Sequence, residues 1–155
     1  MSLILDGSTG CPVTTVTGTL PVANGGTGVA TSTGTGAVVL GTNPTITSYI
    51  ESVVAVGTVT STSTLSLTSG TVQTATLTAS TACTFTMPTA TAGKSFVLLL
   101  KQAASTGNGT ATFTSVKFGT AGAPTITAGA GKMDILSFTA DGTNWYGSIA
   151  QGYTP

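Results

Sequence analysis

Apolar residues in this chain recur at every second position in short runs, and no stretch sustains helical spacing. Cys83, Phe85 and Met87 alternate with Thr84 and Thr86, a period of two that specifies a strand with one face inward. Pro88 ends that strand, because proline cannot donate to a sheet ladder. Residues 71–79 alternate in the same way around Thr71-Val72-Gln73-Thr74-Ala75-Thr76-Leu77. Residues 95–100 read Ser-Phe-Val-Leu-Leu-Leu; a strand apolar at successive positions is buried on both faces. One face would meet the core and the other a second sheet or another subunit. Further strands are predicted over 110–116, 133–139 and 144–150. The last two flank Asp141-Gly142, a strong short-range hairpin signal. The sum is five to seven short strands, predicting a C-terminal antiparallel β-sandwich, jelly-roll-like, over residues 69–155.

The first part of the chain has a different pattern. Residues 7–50 and 52–93 carry no charge. Asn24-Gly25-Gly26 is a turn signal, since Asn and Gly tolerate positive φ. Ala37-Val38-Val39-Leu40 is a short apolar piece, and Asn43 before Pro44 is pushed out of the helical well. Residues 49–56 fit a short helix or, through their β-branched side chains, a strand. Ordering such a chain costs roughly 1–2 kcal/mol of backbone entropy per residue. Residues 18–68 contain too few bulky apolar side chains to form a private core, so burial has to come from neighbouring chains. An extended β stalk of three copies wound together meets that need. Leu20, Val22, Val38, Val39 and Leu40 are its contacts and Asn24, Gly25 and Gly26 its turn; Thr hydroxyls pair across chains. The expected organisation is a docking peptide at 1–17, a stalk at 18–68 and a head at 69–155, all-β and homotrimeric.

Composition narrows the chemistry. Charged residues make up 5% of the 155, four Lys against four acids with no His, where about 25% is usual. Thr is close to a quarter of the chain, Gly adds 21 residues, and mean hydropathy is +0.43. Nucleic-acid binding requires clustered Lys or Arg, and four scattered lysines do not supply it. The densest apolar run is far shorter than the roughly 20 residues of a membrane-spanning helix. The opening residues lack a basic region and a full apolar core, so no secretion signal is expected. Cys11 and Cys83, without His or a CxxC pair, make no metal-site pattern; they read as unpaired thiols in a protein made in the cytosol. Without His there is no Ser–His or Cys–His relay. Asp141 reads as a turn residue and Asp134 as half of a solvated surface pair with Lys132. Gly93-Lys94-Ser95 lacks the upstream glycine and the following helix of a phosphate loop. Asn108-Gly109-Thr110 fits a glycosylation sequon but reads better as a tight turn. No enzyme, cofactor or metal is expected. Trp145 with Tyr146 reads as a core pair or, with Asn144 and Tyr153, as a contact surface for a partner or receptor.

Residues 18–46 carry a more specific signal: Leu-Pro-Val-Ala-Asn-Gly-Gly-Thr-Gly from Leu20, then Gly-Thr-Gly-Ala-Val-Val-Leu from Gly34, then Asn43-Pro44-Thr45. This resembles a module of tail-fibre-like proteins of tailed bacteriophages. Residues 138–146, Phe-Thr-Ala-Asp-Gly-Thr-Asn-Trp-Tyr, are similar to the endings of phage fibre and structural proteins. The resemblance implies a trimeric, β-rich virion appendage with no catalytic residues to carry over. It implies assembly with itself, docking on other virion proteins through the N-terminal segment, and contact with a host-surface glycan or protein. With about 17 residues before the module, any anchor is expected to be a short peptide. A short tail fibre is one reading; a capsid decoration, cement or head-fibre protein is another. A bacterial surface adhesin is the alternative from a different class, and a polysaccharide depolymerase would need an acid pair such as Asp134 and Asp141 in one groove.

Overall fold

Alternating β-branched and apolar residues build nine strands among the described residues, which run from 49 to 155 in the computed structural model. The docking peptide, the stalk residues Leu20, Val22, Asn24, Gly25, Gly26, Val38, Val39 and Leu40, and Cys11 lie outside them. No helix occurs among the described residues, so the all-β expectation holds there. From Val53 the segment 49–56 settles as strand, in keeping with its three valines.

The strands are β1 (Val53–Val59), β2 (Thr62–Thr64), β3 (Val72–Leu77), β4 (Ala82–Thr86), β5 (Ser95–Lys101), β6 (Thr110–Phe113), β7 (Val116–Lys117), β8 (Met133–Ala140) and β9 (Trp145–Tyr153). They form a six-stranded sheet in the order β1-β3-β5-β8-β9-β7 and a three-stranded sheet in the order β2-β4-β6. Through β6 the chain alternates between the two sheets. Each pass lays one strand on the larger sheet and the next on the smaller, so three coils stack in a solenoid-like arrangement. The pairs β1–β3, β3–β5, β2–β4 and β4–β6 are therefore parallel. β8 and β9 then fold back as antiparallel neighbours of β5 and of each other.

This corrects the expected antiparallel sandwich. Period-two alternation looks the same in parallel and antiparallel strands. Parallel pairing needs a crossover of about a dozen residues or more, and here residues 60–71 and 78–94 provide it, each containing a strand of the opposite sheet. The division at residue 68 also shifts: the compact unit runs from Tyr49 to Pro155, and β1 and β2 pair with β3 and β4 inside it. Val59 and Leu65, assigned above to a coreless stalk, are buried in its core.

The core lies between the two sheets. Leu98 of β5 and Leu136 of β8 pair in register, and with Leu77 of β3 they are fully buried. Phe96 stacks on Phe138 at 4.8 Å, and Phe85 stacks on Phe113 at 5.2 Å. Each such side chain contributes roughly 1.5–3 kcal/mol through removal from water. β5 departs from the reading above: Phe96, Leu98 and Leu100 are buried, whereas Val97 and Leu99 on its other face are only half-buried.

Buried polar groups tie the loops to this core. The Gln102 side chain donates to the carbonyls of Gly109 and Thr127 (both 2.8 Å) and accepts from Gly109 N–H at 2.9 Å. Gly107-Asn108-Gly109 is not the expected tight turn: Asn108 takes a positive φ of 64°, but Gly107 C=O accepts from Ser80 N–H and Asn108 N–H donates to the Ala128 carbonyl. A side chain at Gly109 would sit 2.7 Å from Leu77 Cβ, so only glycine fits that approach.

Candidate functional site

The alternation that fills the core also decides what the opposite face of the six-stranded sheet presents. Register places Val53, Val72, Val97, Ser137 and Ser148 in one outward row. Ala55, Thr74, Leu99, Ile135 and Ala150 form the next, and Thr58, Thr76, Lys101, Met133 and Tyr153 a third. Across β1, β3, β5, β8 and β9 the charged residue on this face is Lys101, with Lys117 at the short β7 edge. A sheet with one solvated face normally alternates apolar-in with polar-out; here the outward rows are apolar or hydroxyl-bearing.

At one end of the face lies an open depression of about 570 Å³. Val72, Val97, Ser137 and Thr139 floor it, and Tyr49 and Glu51 wall it. The Thr71 hydroxyl donates to the Glu51 carboxylate, which fixes that wall to the start of β3.

The four contact candidates do not form one surface. Trp145 is buried at 1% exposure, donates from Nε1 to the Pro88 carbonyl at 2.7 Å and packs edge-on against Phe96. Its place is the core, and the contact-surface reading fails for it because it shares the inward face with Ala140 and Phe138. Tyr146 and Tyr153 project outward near opposite ends of β9 and are exposed. Asn144 is half-buried in the hairpin turn.

That turn is held by Asp141. Its Oδ1 accepts from the backbone N–H groups of Thr143 and Asn144, both at 2.7 Å, and its Oδ2 accepts from the Tyr146 hydroxyl at 2.9 Å. The backbone donors of Asn144 and Thr143, with the Tyr146 hydroxyl, lower the Asp141 pKa to about 2. The same contact raises the Tyr146 phenol above its ordinary value, since losing its proton would place a second negative charge beside Asp141.

Asp134 is not the surface partner of Lys132. It is 1% exposed and accepts from Thr127 N–H at 2.7 Å and Gly152 N–H at 3.0 Å. Lys132 turns instead to the Thr154 hydroxyl. Parity carried the missed signal: Leu136, Phe138 and Ala140 point inward, so Asp134 does too, and Gln102 follows Phe96, Leu98 and Leu100 in the same way. Cys83 is a buried free thiol whose Sγ lies 3.1 Å from the Val59 carbonyl. Lys94 and Ser95 lead from a turn at Gly93 (φ 78°) into β5. Among the described residues no three His, Cys, Asp or Glu side chains converge on a point, and no helix is long and apolar enough to cross a membrane. What the unit presents is therefore a broad sheet face, sparse in charge apart from Lys101 and Lys117, with a shallow depression. No protein family matches the chain, nor does any curated protein or solved structure.

Proposed function

We propose that this chain is a structural protein of a bacteriophage virion, a short trimeric fibre of the tail-fibre type that contacts the host surface. The observation that carries the reading is the polarity of the coil stack. Among the described residues, β1 and β2 stand at the edges of their sheets at one end of the stack. At the other end the six-stranded sheet runs into the β8–β9 hairpin and its edge shrinks to the two residues of β7, while β6 ends the smaller sheet. Shortening an edge strand is a recognised way to stop further pairing. A six-stranded sheet with a long edge strand at one end and a two-residue strand at the other suits the tip of a fibre, where growth stops.

The phage-fibre module at residues 18–46 supports the same reading, with three stalks winding together and residues 1–17 docking on the particle. A broad surface with few charges and, among the described residues, no convergent cluster of His, Cys, Asp or Glu suits a mechanical and adhesive role. The test is electron microscopy of the intact particle with an antibody raised against residues 49–155. Label at the distal ends of tail-associated fibres is the expected result. Label on the shell would transfer the chain to capsid decoration or a head fibre, and label on host envelopes free of particles would make it an adhesin.

A further inference from the structure

We infer that the outward face of the six-stranded sheet is the surface on which copies of this chain assemble, with Val97, Leu99 and Ile135 at its centre. The inference rests on the oligomeric fibre reading and adds to it the place where the heads meet.

Three observations converge on that face. First, β1, β3 and β5 run parallel, and parallel sheets are ordinarily covered on both sides. The three-stranded sheet covers one side; Val97, Leu99 and Ile135 remain half-buried on the other. Second, the exposed large hydrophobic side chains of the described unit gather there. Val53, Tyr146 and Tyr153 project from the face, and Tyr49 and Ile50 are the two residues that lead toward it. Scattered exposed apolar residues need no explanation, but their concentration on one face marks an interaction surface. Third, the layout is that of an interface: an apolar centre on the middle strands β5 and β8, with hydroxyls and tyrosines toward the rim.

The charge pattern selects the occupant. Lys101 stands in the outermost of the three rows and Lys117 at the β7 edge, so the centre offers no charge to attract or orient a charged partner. An uncharged face buries best against another uncharged face, because no ion loses its hydration. With eight charged residues in 155, this chain supplies such a face itself.

Sedimentation of the full-length chain tests this, comparing wild type with Leu99→Glu, the milder Leu99→Thr, and Thr112→Glu on the smaller sheet as control. Far-UV circular dichroism reports folding of each. The expected result is a wild-type oligomer whose dissociation constant changes little with salt, since no exposed charge pair is involved. Leu99→Glu is expected to weaken it by at least about a hundredfold and Leu99→Thr by about tenfold, with Thr112→Glu unchanged. If the wild type assembles and both folded Leu99 variants assemble equally well, the face is not the interface, while the oligomeric fibre reading stands. If the wild type is monomeric throughout the micromolar range, the face is not self-complementary, and the trimer is lost with it. Should Leu99→Glu fail to fold, the outcome for Leu99→Thr decides.

Discussion

Asp134 and Asp141 are both carboxylates beside the β8–β9 hairpin, and their surroundings give them separate tasks. Asp134 is enclosed and accepts two backbone N–H groups, one from the loop before β8 and one from the end of β9. Removing it leaves two donors without partners, at about 1–3 kcal/mol for each buried group. Asp134→Ala is therefore expected to lower the unfolding free energy by roughly 3 kcal/mol, read as a shift in urea midpoint, and Asp134→Asn by less because one acceptor remains. Asp141 is exposed, and its effect is expected to appear through pH. Its folded pKa, about 2, lies below the ordinary 3.8. The stability it contributes is present above the unfolded value and is lost as pH falls through the folded one. The difference in melting temperature between wild type and Asp141→Asn should hold steady above about pH 4 and vanish as the pH approaches 2. A difference unchanged across that window would mean that the turn does not depend on the carboxylate's charge.

At the scale of the strand, Leu98 and Leu99 are neighbours of the same kind with opposite surroundings. Leu98 is fully buried between the sheets, and Leu99 faces outward. Leu98→Ala leaves a cavity in a packed core and is expected to cost roughly 2–5 kcal/mol of folding stability. Leu99→Ala is expected to cost under about 1 kcal/mol in the protomer, with its effect showing in assembly, where stability depends on concentration. Denaturation at two protein concentrations separates these contributions. The pair also marks how far the sequence can be read. The strand at residues 95–100, the β4 end at Pro88 and the hairpin at Asp141-Gly142 follow from local pattern and turn chemistry. The direction of pairing does not, because inward and outward positions alternate identically whether the neighbour runs up or down. What makes β1, β3 and β5 parallel is the detour through the other sheet, a long-range property that no single strand encodes. The close turn at Ser115, at φ 58° between β6 and β7, has no glycine to announce it. For the site, the tyrosines of β9 were visible as candidates. The apolar outward face is only hinted at by the uninterrupted apolar run of β5, and Trp145 is placed by its parity with Ala140 and Phe138.

For the molecule as a whole, the open question is whether the coils behave as one cooperative body. In stacked repeats each unit touches mainly its neighbours, so an end can unravel before the rest. Here the first coil is the candidate, since among the described residues β1 pairs on one side only. Against that, Val59 and Leu65 from the first coil are buried in the same core as Leu77, Phe85, Phe138 and Trp145. Losing the first coil would uncover part of that core, which ties its unfolding to that of the rest. Trp145, the single tryptophan of the chain, supplies a probe at the opposite end. It joins the hairpin to β5 through Phe96 and to the segment after β4 through Pro88. Far-UV circular dichroism, in contrast, reports strands of every coil. If the core binds the coils into one unit, urea curves from tryptophan fluorescence and from circular dichroism should superimpose, as two-state unfolding requires. A circular dichroism signal that falls before the fluorescence would show the first coil leaving while the hairpin end stands. Amide exchange in β1 should then run ahead of that in β5 by the same free-energy gap.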